Sequence, residues 1–111
     1  MQVLPTRIEK KSEQYQENVS ANLGFIEKLH KSLAKAKAGG GEKYVQRHVD
    51  RGKLLPRERI NLLLDRDSPF LELLPLAGMH VGGTVPGGSV VTGIGYVNGT
   101  QCMVSASEAT V

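Results

Sequence analysis

Val90-Val91-Thr92-Gly93-Ile94-Gly95-Tyr96-Val97-Asn98-Gly99-Thr100-Gln101-Cys102-Met103-Val104-Ser105-Ala106 is the stretch on which the fold turns. Asn98-Gly99 tolerates positive φ at both central positions of a type I′ turn, whose twist matches that of the two strands it joins. The flanking runs are rich in β-branched residues and have the length of ordinary strands. A hairpin is expected, with Val90 to Val97 against Thr100 to Ala106. Closing its register at Asn98-Gly99 places Gly93, Gly95, Cys102, Val104 and Ala106 on one face and Ile94, Tyr96 and Met103 on the other. The small-residue face invites close approach by another layer. Two strands alone are marginal in water, so further strands or covering helices are expected. Ala109-Thr110-Val111 carries no stop signal, and the chain is expected to end in mid-domain. Gly93-x-Gly95 lies inside a strand with the next glycine displaced to the turn, so it is not a dinucleotide fingerprint.

Working back from the hairpin, Gly78, Gly82, Gly83, Gly87 and Gly88, with Pro75 and Pro86, mark a loop. Phe70 to Leu74 is a short extended stretch. Pro56 suits a first helical turn, where a missing N–H costs nothing. It opens a helix through Leu64, with Ile60, Leu63 and Leu64 expected to face inward. Asp65 to Pro69 ends that helix with turn formers. Glu42 to Asp50 reads as another helix, broken by Gly52. From Ser12 to Ala38, Tyr15, Val19, Leu23, Ile26, Leu29 and Leu33 recur at spacings of three and four, the mark of one long amphipathic helix. Gly24 in its interior costs about 1 kcal/mol relative to alanine, so the helix is expected to owe its order to packing. Gly39-Gly40-Gly41 after Lys35 and Lys37 is a helix stop. A phosphate-cradling loop is set aside there, since no Gly-Lys-Ser/Thr follows and no strand precedes.

The chain has 111 residues, 40% of them hydrophobic but only 5% aromatic, which leaves few large side chains for a core. One cysteine, Cys102, cannot form an internal disulfide, and three scattered histidines lack the spacing of metal ligands. A reducing compartment and no metal are expected. No apolar run approaches the roughly 20 residues of a membrane span. Glu9, Glu13 and Glu17 near the start, with no apolar block, argue against a secretory signal and weaken the case for an acidic-poor mitochondrial transit peptide.

Charge is unevenly distributed. Lys43, Arg47, Arg51, Lys53, Arg57, Arg59 and Arg66 face only Asp50, Glu58 and Asp65 in the same segment, a local +4 within a chain of net +3. Such a cluster suits a polyanion, either nucleic acid or the phosphates of a nucleotide-like cofactor. The absence of interleaved aromatics lowers the nucleic-acid alternative.

Two segments carry a resemblance. One comprises Gly39-Gly40-Gly41-Glu42-Lys43, His48, Arg51-Gly52-Lys53-Leu54-Leu55-Pro56-Arg57-Glu58-Arg59-Ile60, Leu63-Leu64-Asp65 and Ser68-Pro69-Phe70-Leu71-Glu72-Leu73. The other comprises Val85-Pro86-Gly87-Gly88, Val91-Thr92-Gly93-Ile94-Gly95, Gly99, Cys102-Met103 and Ala109-Thr110-Val111. Together they resemble the opening of the carboxyltransferase β-subunits of biotin-dependent acyl-CoA carboxylases. The Arg-Gly-Lys-Leu-Leu-Pro and Ser-Pro-Phe details are most similar to the methylcrotonyl-CoA branch. Ser107-Glu108 departs from the Asn-Asp usual in that family before Ala-Thr-Val, and the first 38 residues match only in helical character.

The resemblance implies an α/β class, α+β within these residues: helices, then a β-hairpin, at the start of a crotonase-like domain. It divides the chain into an amphipathic helix over 1–38 and the incomplete start of an acyl-CoA carboxyltransferase domain over 39–111. It implies transfer of a carboxyl group from carboxybiotin to 3-methylcrotonyl-CoA, with propionyl-, geranyl- or acetyl-CoA or a non-catalytic assembly role as alternatives. Biotin would be carried by a partner α-subunit that also uses ATP and bicarbonate, and this chain alone would bind none of them. Homo-oligomers of β-subunits are expected, without nucleic acid or membrane, in the cytoplasm of a bacterium or the mitochondrial matrix of a eukaryote. The enolate-stabilising turns of the family lie downstream, so the chain alone is expected to be inactive.

No catalytic residue is assigned. Lys53, Arg57 and Arg59 are candidates for the CoA phosphates, which guanidinium groups bind bidentately. Ion pairing of Arg57 or Arg59 with Glu58, Asp65 or a more distant acid is the competing expectation. His48 has no acid placed beside it and is read as a surface or interface residue. Cys102 is read as a small buried strand residue, and Ser105 and Ser107 as structural, for want of a nucleophile-elbow context.

Overall fold

The computed structural model describes residues 3–111. The order is α1 (Glu13–Lys37), α2 (Glu42–Asp50), α3 (Pro56–Leu63), β1 (Leu71–Leu73), β2 (Val90–Val97) and β3 (Thr100–Ser107). The chain forms two compact units, one up to Lys31 and one over Ser32–Val111. No helix among the described residues is long and apolar enough to cross a membrane.

In the first unit, the Ser12 hydroxyl accepts the Tyr15 N–H at 3.2 Å and caps the start of α1. Tyr15 and Val19 are half-buried, whereas Leu23, Ile26 and Leu29 are exposed. The stripe that the spacing predicts is present but largely uncovered. At its other end α1 stops as expected: Lys35 and Lys37 fill the last turn and Gly39 takes φ 60°, a left-handed cap that glycine reaches without a Cβ penalty.

The core of the second unit lies between α3 and a three-stranded antiparallel sheet of order β1-β2-β3. Asn98 (φ 51°) and Gly99 (φ 74°) turn the hairpin, and Gly95 pairs with Cys102, Gly93 with Val104 and Val91 with Ala106, in the expected register. The extended stretch before the loop supplies the third strand, with Leu71 opposite Ile94 and Leu73 opposite Thr92. Ile60, Val91, Val104 and Ala106 are buried together, and Leu64, Phe70 and Cys102 pack against them. Cys102 is half-buried rather than buried, and pairs with Gly95 close to the turn.

The two strand glycines explain how such a small core closes. A Cβ on Gly93 would overlap the Phe70 ring and the Leu71 carbonyl, and one on Gly95 would come within 2.5 Å of Leu64 Cδ2. Phe70 and Leu64 thus occupy the space that side chains would otherwise fill.

On α3, Pro56 and Ile60 are buried and Leu64 follows them in the i, i+4 row that faces the sheet. Leu63 does not face inward as its apolar character predicts, and is 52% exposed. It falls on the other side of the Pro56–Ile60–Leu64 row, and the backbone leaves the helix at Leu64. The start of α3 is held by Glu58, whose carboxylate accepts the Leu55 N–H at 2.8 Å.

Asp65 ties the helix to the hairpin. Its own N–H donates to the Tyr96 carbonyl at 2.9 Å, and its carboxylate accepts the N–H groups of Asn98 and Gly99, each at 2.7 Å. Both turn amides therefore have a charged acceptor, stronger than a neutral one.

Candidate functional site

The basic segment runs from α2 through Gly52 into α3, and the fold sorts its charges. Arg57 faces the sheet, where its Nε donates to Glu72 Oε2 at 3.1 Å and its Nη2 to Glu72 Oε1 at 2.6 Å. Both side chains are more than two-thirds buried, so this bidentate pair is screened less than a surface pair. The acid is on β1, a distant one in sequence, placed opposite the helix only because β1 joins the sheet.

Lys53 and Arg59 point elsewhere. With His48, Gly52, Leu54 and Ala109 they line an open cleft of about 460 Å³. Gly52 takes φ 70° there and turns the chain between α2 and α3, which brings Lys53 and Arg59 to one side. A second cleft of about 210 Å³ is lined by Tyr44, Arg47, His48, Arg51, Ala109 and Thr110. His48 and Ala109 belong to both linings, so the two clefts adjoin. Among the described residues, no carboxylate lines either one.

Two backbone arrangements hold the shared wall. His48 Nε2 lies 3.1 Å from the Leu54 carbonyl and must donate to it, which fixes the ring across the α2–α3 turn. Thr110 is buried, and its hydroxyl donates to Glu108 Oε1 at 2.6 Å while accepting the Gly40 N–H at 3.0 Å. The Thr110 N–H also reaches Glu108 Oε1, at 3.1 Å. A Cβ on Gly40 would drive into the Thr110 carbonyl, and one on Gly39 would come within 2.6 Å of the Thr110 hydroxyl. The triple glycine is therefore a packing surface for the residues after β3 as well as a helix stop, and it sets Ala109 beside the clefts.

Of the residues that the sequence singles out, the structure brings Lys53 and Arg59 together and sends Arg57 to Glu72. Ser105 bonds Thr92 across the hairpin at 3.0 Å, and neither serine nor Cys102 lines these clefts. Among the described residues there is no cluster of three or more His, Cys, Asp or Glu side chains fit to hold a metal. Sequence reading counts Arg47 and Arg51 in the basic cluster but not among the phosphate candidates, although their spacing of four is legible as one helical face. Thr110 enters the sequence reading only within Ala109-Thr110-Val111, with no sign of its contact with the triple glycine.

Comparison with known proteins places these features. A model of the carboxyl transferase domain matches residues 47–111, which include Lys53, Arg59 and Ala109. The chain is 48% identical over 98% of its length to a probable mitochondrial methylcrotonoyl-CoA carboxylase β chain of Drosophila melanogaster, of which it covers 19%. It is 54% identical over 78% of its length to a biotin-dependent 3-methylcrotonyl-coenzyme A carboxylase β1 subunit of Mycobacterium tuberculosis, covering 17% of that protein. Among solved structures it resembles the β subunit of P. aeruginosa geranyl-CoA carboxylase, with a TM-score of 0.71 and 38% identity over 97% of this chain and 20% of that one. The chain thus spans about a fifth of the length of the proteins it matches. The helices followed by an antiparallel sheet, an α+β arrangement, are those of the crotonase-like carboxyltransferases.

Proposed function

The chain belongs to the carboxyl transferase family, and from that premise we propose that it is the acyl-CoA-handling amino-terminal part of the β-chain of a biotin-dependent methylcrotonyl-CoA carboxylase. The observation that carries this is the 48% identity maintained over 98% of the chain. In the whole enzyme the β-chain moves a carboxyl group from carboxybiotin to the γ-carbon of 3-methylcrotonyl-CoA. A partner α-subunit carries the biotin and charges it using ATP and bicarbonate, and the β-chains associate with one another. The name of the fly relative calls that protein mitochondrial, which supports a mitochondrial enzyme, in the matrix, if this chain is from a eukaryote; in a bacterium the enzyme works in the cytoplasm.

Biotin's ureido ring calls for neutral hydrogen-bond partners around an enolate-like oxygen. The clefts here are instead lined by cations, which suit phosphate. No step through biotin is derived from these residues. What they supply is attachment of the CoA moiety, which positions the acyl group for chemistry performed elsewhere. Lys53 and Arg59 meet phosphate oxygens from the larger cleft. Arg57, also a sequence candidate, has its guanidinium committed to Glu72 and braces α3 against the sheet, which favours the ion-pairing alternative at that one position.

Likeness to the geranyl-CoA carboxylase β subunit supports a second substrate, a longer branched enoyl-CoA. Carboxylation by the intact β-chain with its biotin-carrying partner separates the two. The expected order of kcat/KM is 3-methylcrotonyl-CoA above geranyl-CoA, and both above propionyl-CoA. Preference for propionyl-CoA would remove this branch assignment while leaving the family intact.

A further inference from the structure

The smaller cleft has no role in the function above. Arg47 and Arg51 reach it from one face of α2 and its C-cap, one helical turn apart. Both are exposed, and neither is in a salt bridge among the described residues. Most of the acids near this segment have other partners, and none is in a salt bridge with Arg47 or Arg51 among the described residues. Glu58 accepts the Leu55 N–H, Glu72 holds Arg57, Glu108 holds Thr110, Asp65 holds the hairpin turn, and Asp50 accepts from Gln46 at 2.7 Å. Two guanidinium groups therefore face a cleft that contains no carboxylate, beside a second cleft with two more free cations.

Two adjoining cationic clefts call for a ligand with two separate anionic centres. A nucleotide bearing a pyrophosphate on one ribose oxygen and a monophosphate on another is such a ligand, whereas a simple nucleoside diphosphate fills only one cleft. A dianionic monophosphate matches a pair of guanidinium forks better than a single ammonium does. Tyr44, exposed in the same cleft, presents a ring edge and a hydroxyl to the adjacent sugar or base.

We propose that Arg47 and Arg51 form a separate monophosphate subsite that selects 3′-phosphorylated CoA esters, while Lys53 and Arg59 take the pyrophosphate. This rests on the assignment of the larger cleft to CoA. It goes beyond that assignment by giving the chain a means of distinguishing CoA from its 3′-dephospho form. It also requires that the subsites act independently, since they share only His48 and Ala109.

The test uses the intact β-chain with its biotin-carrying partner and two substrates, 3-methylcrotonyl-CoA and the same ester of 3′-dephospho-CoA. The unaltered enzyme should prefer the phosphorylated ester by about 10-fold or more in KM, the size of one or two charge-assisted hydrogen bonds. Arg47→Gln/Arg51→Gln should raise KM for the phosphorylated ester to that of the dephospho ester, with kcat unchanged. Lys53→Gln/Arg59→Gln should raise KM for both esters alike and keep the preference. A preference that survives Arg47→Gln/Arg51→Gln, or is missing from the unaltered enzyme, overturns the monophosphate subsite and leaves the larger cleft untouched. If Lys53→Gln/Arg59→Gln changes KM for neither ester, the CoA assignment of the larger cleft falls. All four residues are exposed and in no salt bridge among the described residues, and equal thermal midpoints will establish that the variants fold.

Discussion

Arg57 and Arg59 stand two positions apart on α3, about 200° apart around a helix of 3.6 residues per turn, and they have opposite surroundings. The face carrying Arg57 is apolar, closely packed and charge-neutral: Pro56 and Ile60 are buried on it, and Glu72 offsets its one cation. The face carrying Arg59 is open, and its cations are in no salt bridge among the described residues. One short segment therefore does two things with one residue type. Against the sheet, charge is neutralised because it must leave water; in the clefts, charge remains available because it does not.

Substitutions on the two faces should separate cleanly into effects on folding and effects on affinity. The largest effect is expected at Gly93. Gly93→Val puts a branched side chain where the Phe70 ring and the Leu71 carbonyl already lie, and the intact protein should lose more than about 3 kcal/mol in denaturant unfolding or fail to accumulate. Wild-type stability in this variant would mean that Phe70 does not cover β2. Next comes the tie between the halves. Asp65→Ala removes the acceptor for two turn amides and should cost about 1–2 kcal/mol by the same measurement, with KM for the acyl-CoA ester unchanged.

The smallest stability effects sharpen the contrast between the two arginines. Glu72→Gln leaves Arg57 partly buried without its counter-charge and should cost about 1 kcal/mol, again with no change in KM. Arg59→Gln should shift stability by less than about 0.5 kcal/mol and raise KM several-fold. A double-mutant cycle in which Arg57→Gln and Glu72→Gln act additively would show that their pairing contributes nothing.

Much of this architecture was legible beforehand. Asn98-Gly99 set the hairpin and its register, because side-chain alternation along a strand leaves only one arrangement that buries Val91, Val104 and Ala106 together. Glycine, proline and apolar spacing marked the three helices to within a residue or two. Leu63 was misjudged because apolar character alone does not say where a helix stops or which row meets the sheet. The third strand was seen only as an extended stretch, since three residues carry too little pattern to reveal a partner.

The candidate site was less legible, for a physical reason. Local sequence determined how many cations lie between Lys43 and Arg66, where the helices bend, and where the hairpin turns, because these depend on residues within a few positions of one another. Which cations are neutralised depends on contacts across the chain. Arg57 meets Glu72 15 residues away, and Gly40 meets Thr110 70 residues away. Such pairs form only when packing α3 on the sheet brings distant segments together, and hydrophobic burial drives that packing without regard to which charges it aligns. Tertiary structure alone decided that Arg57 braces the fold while Arg47, Arg51, Lys53 and Arg59 stay free to meet an anion.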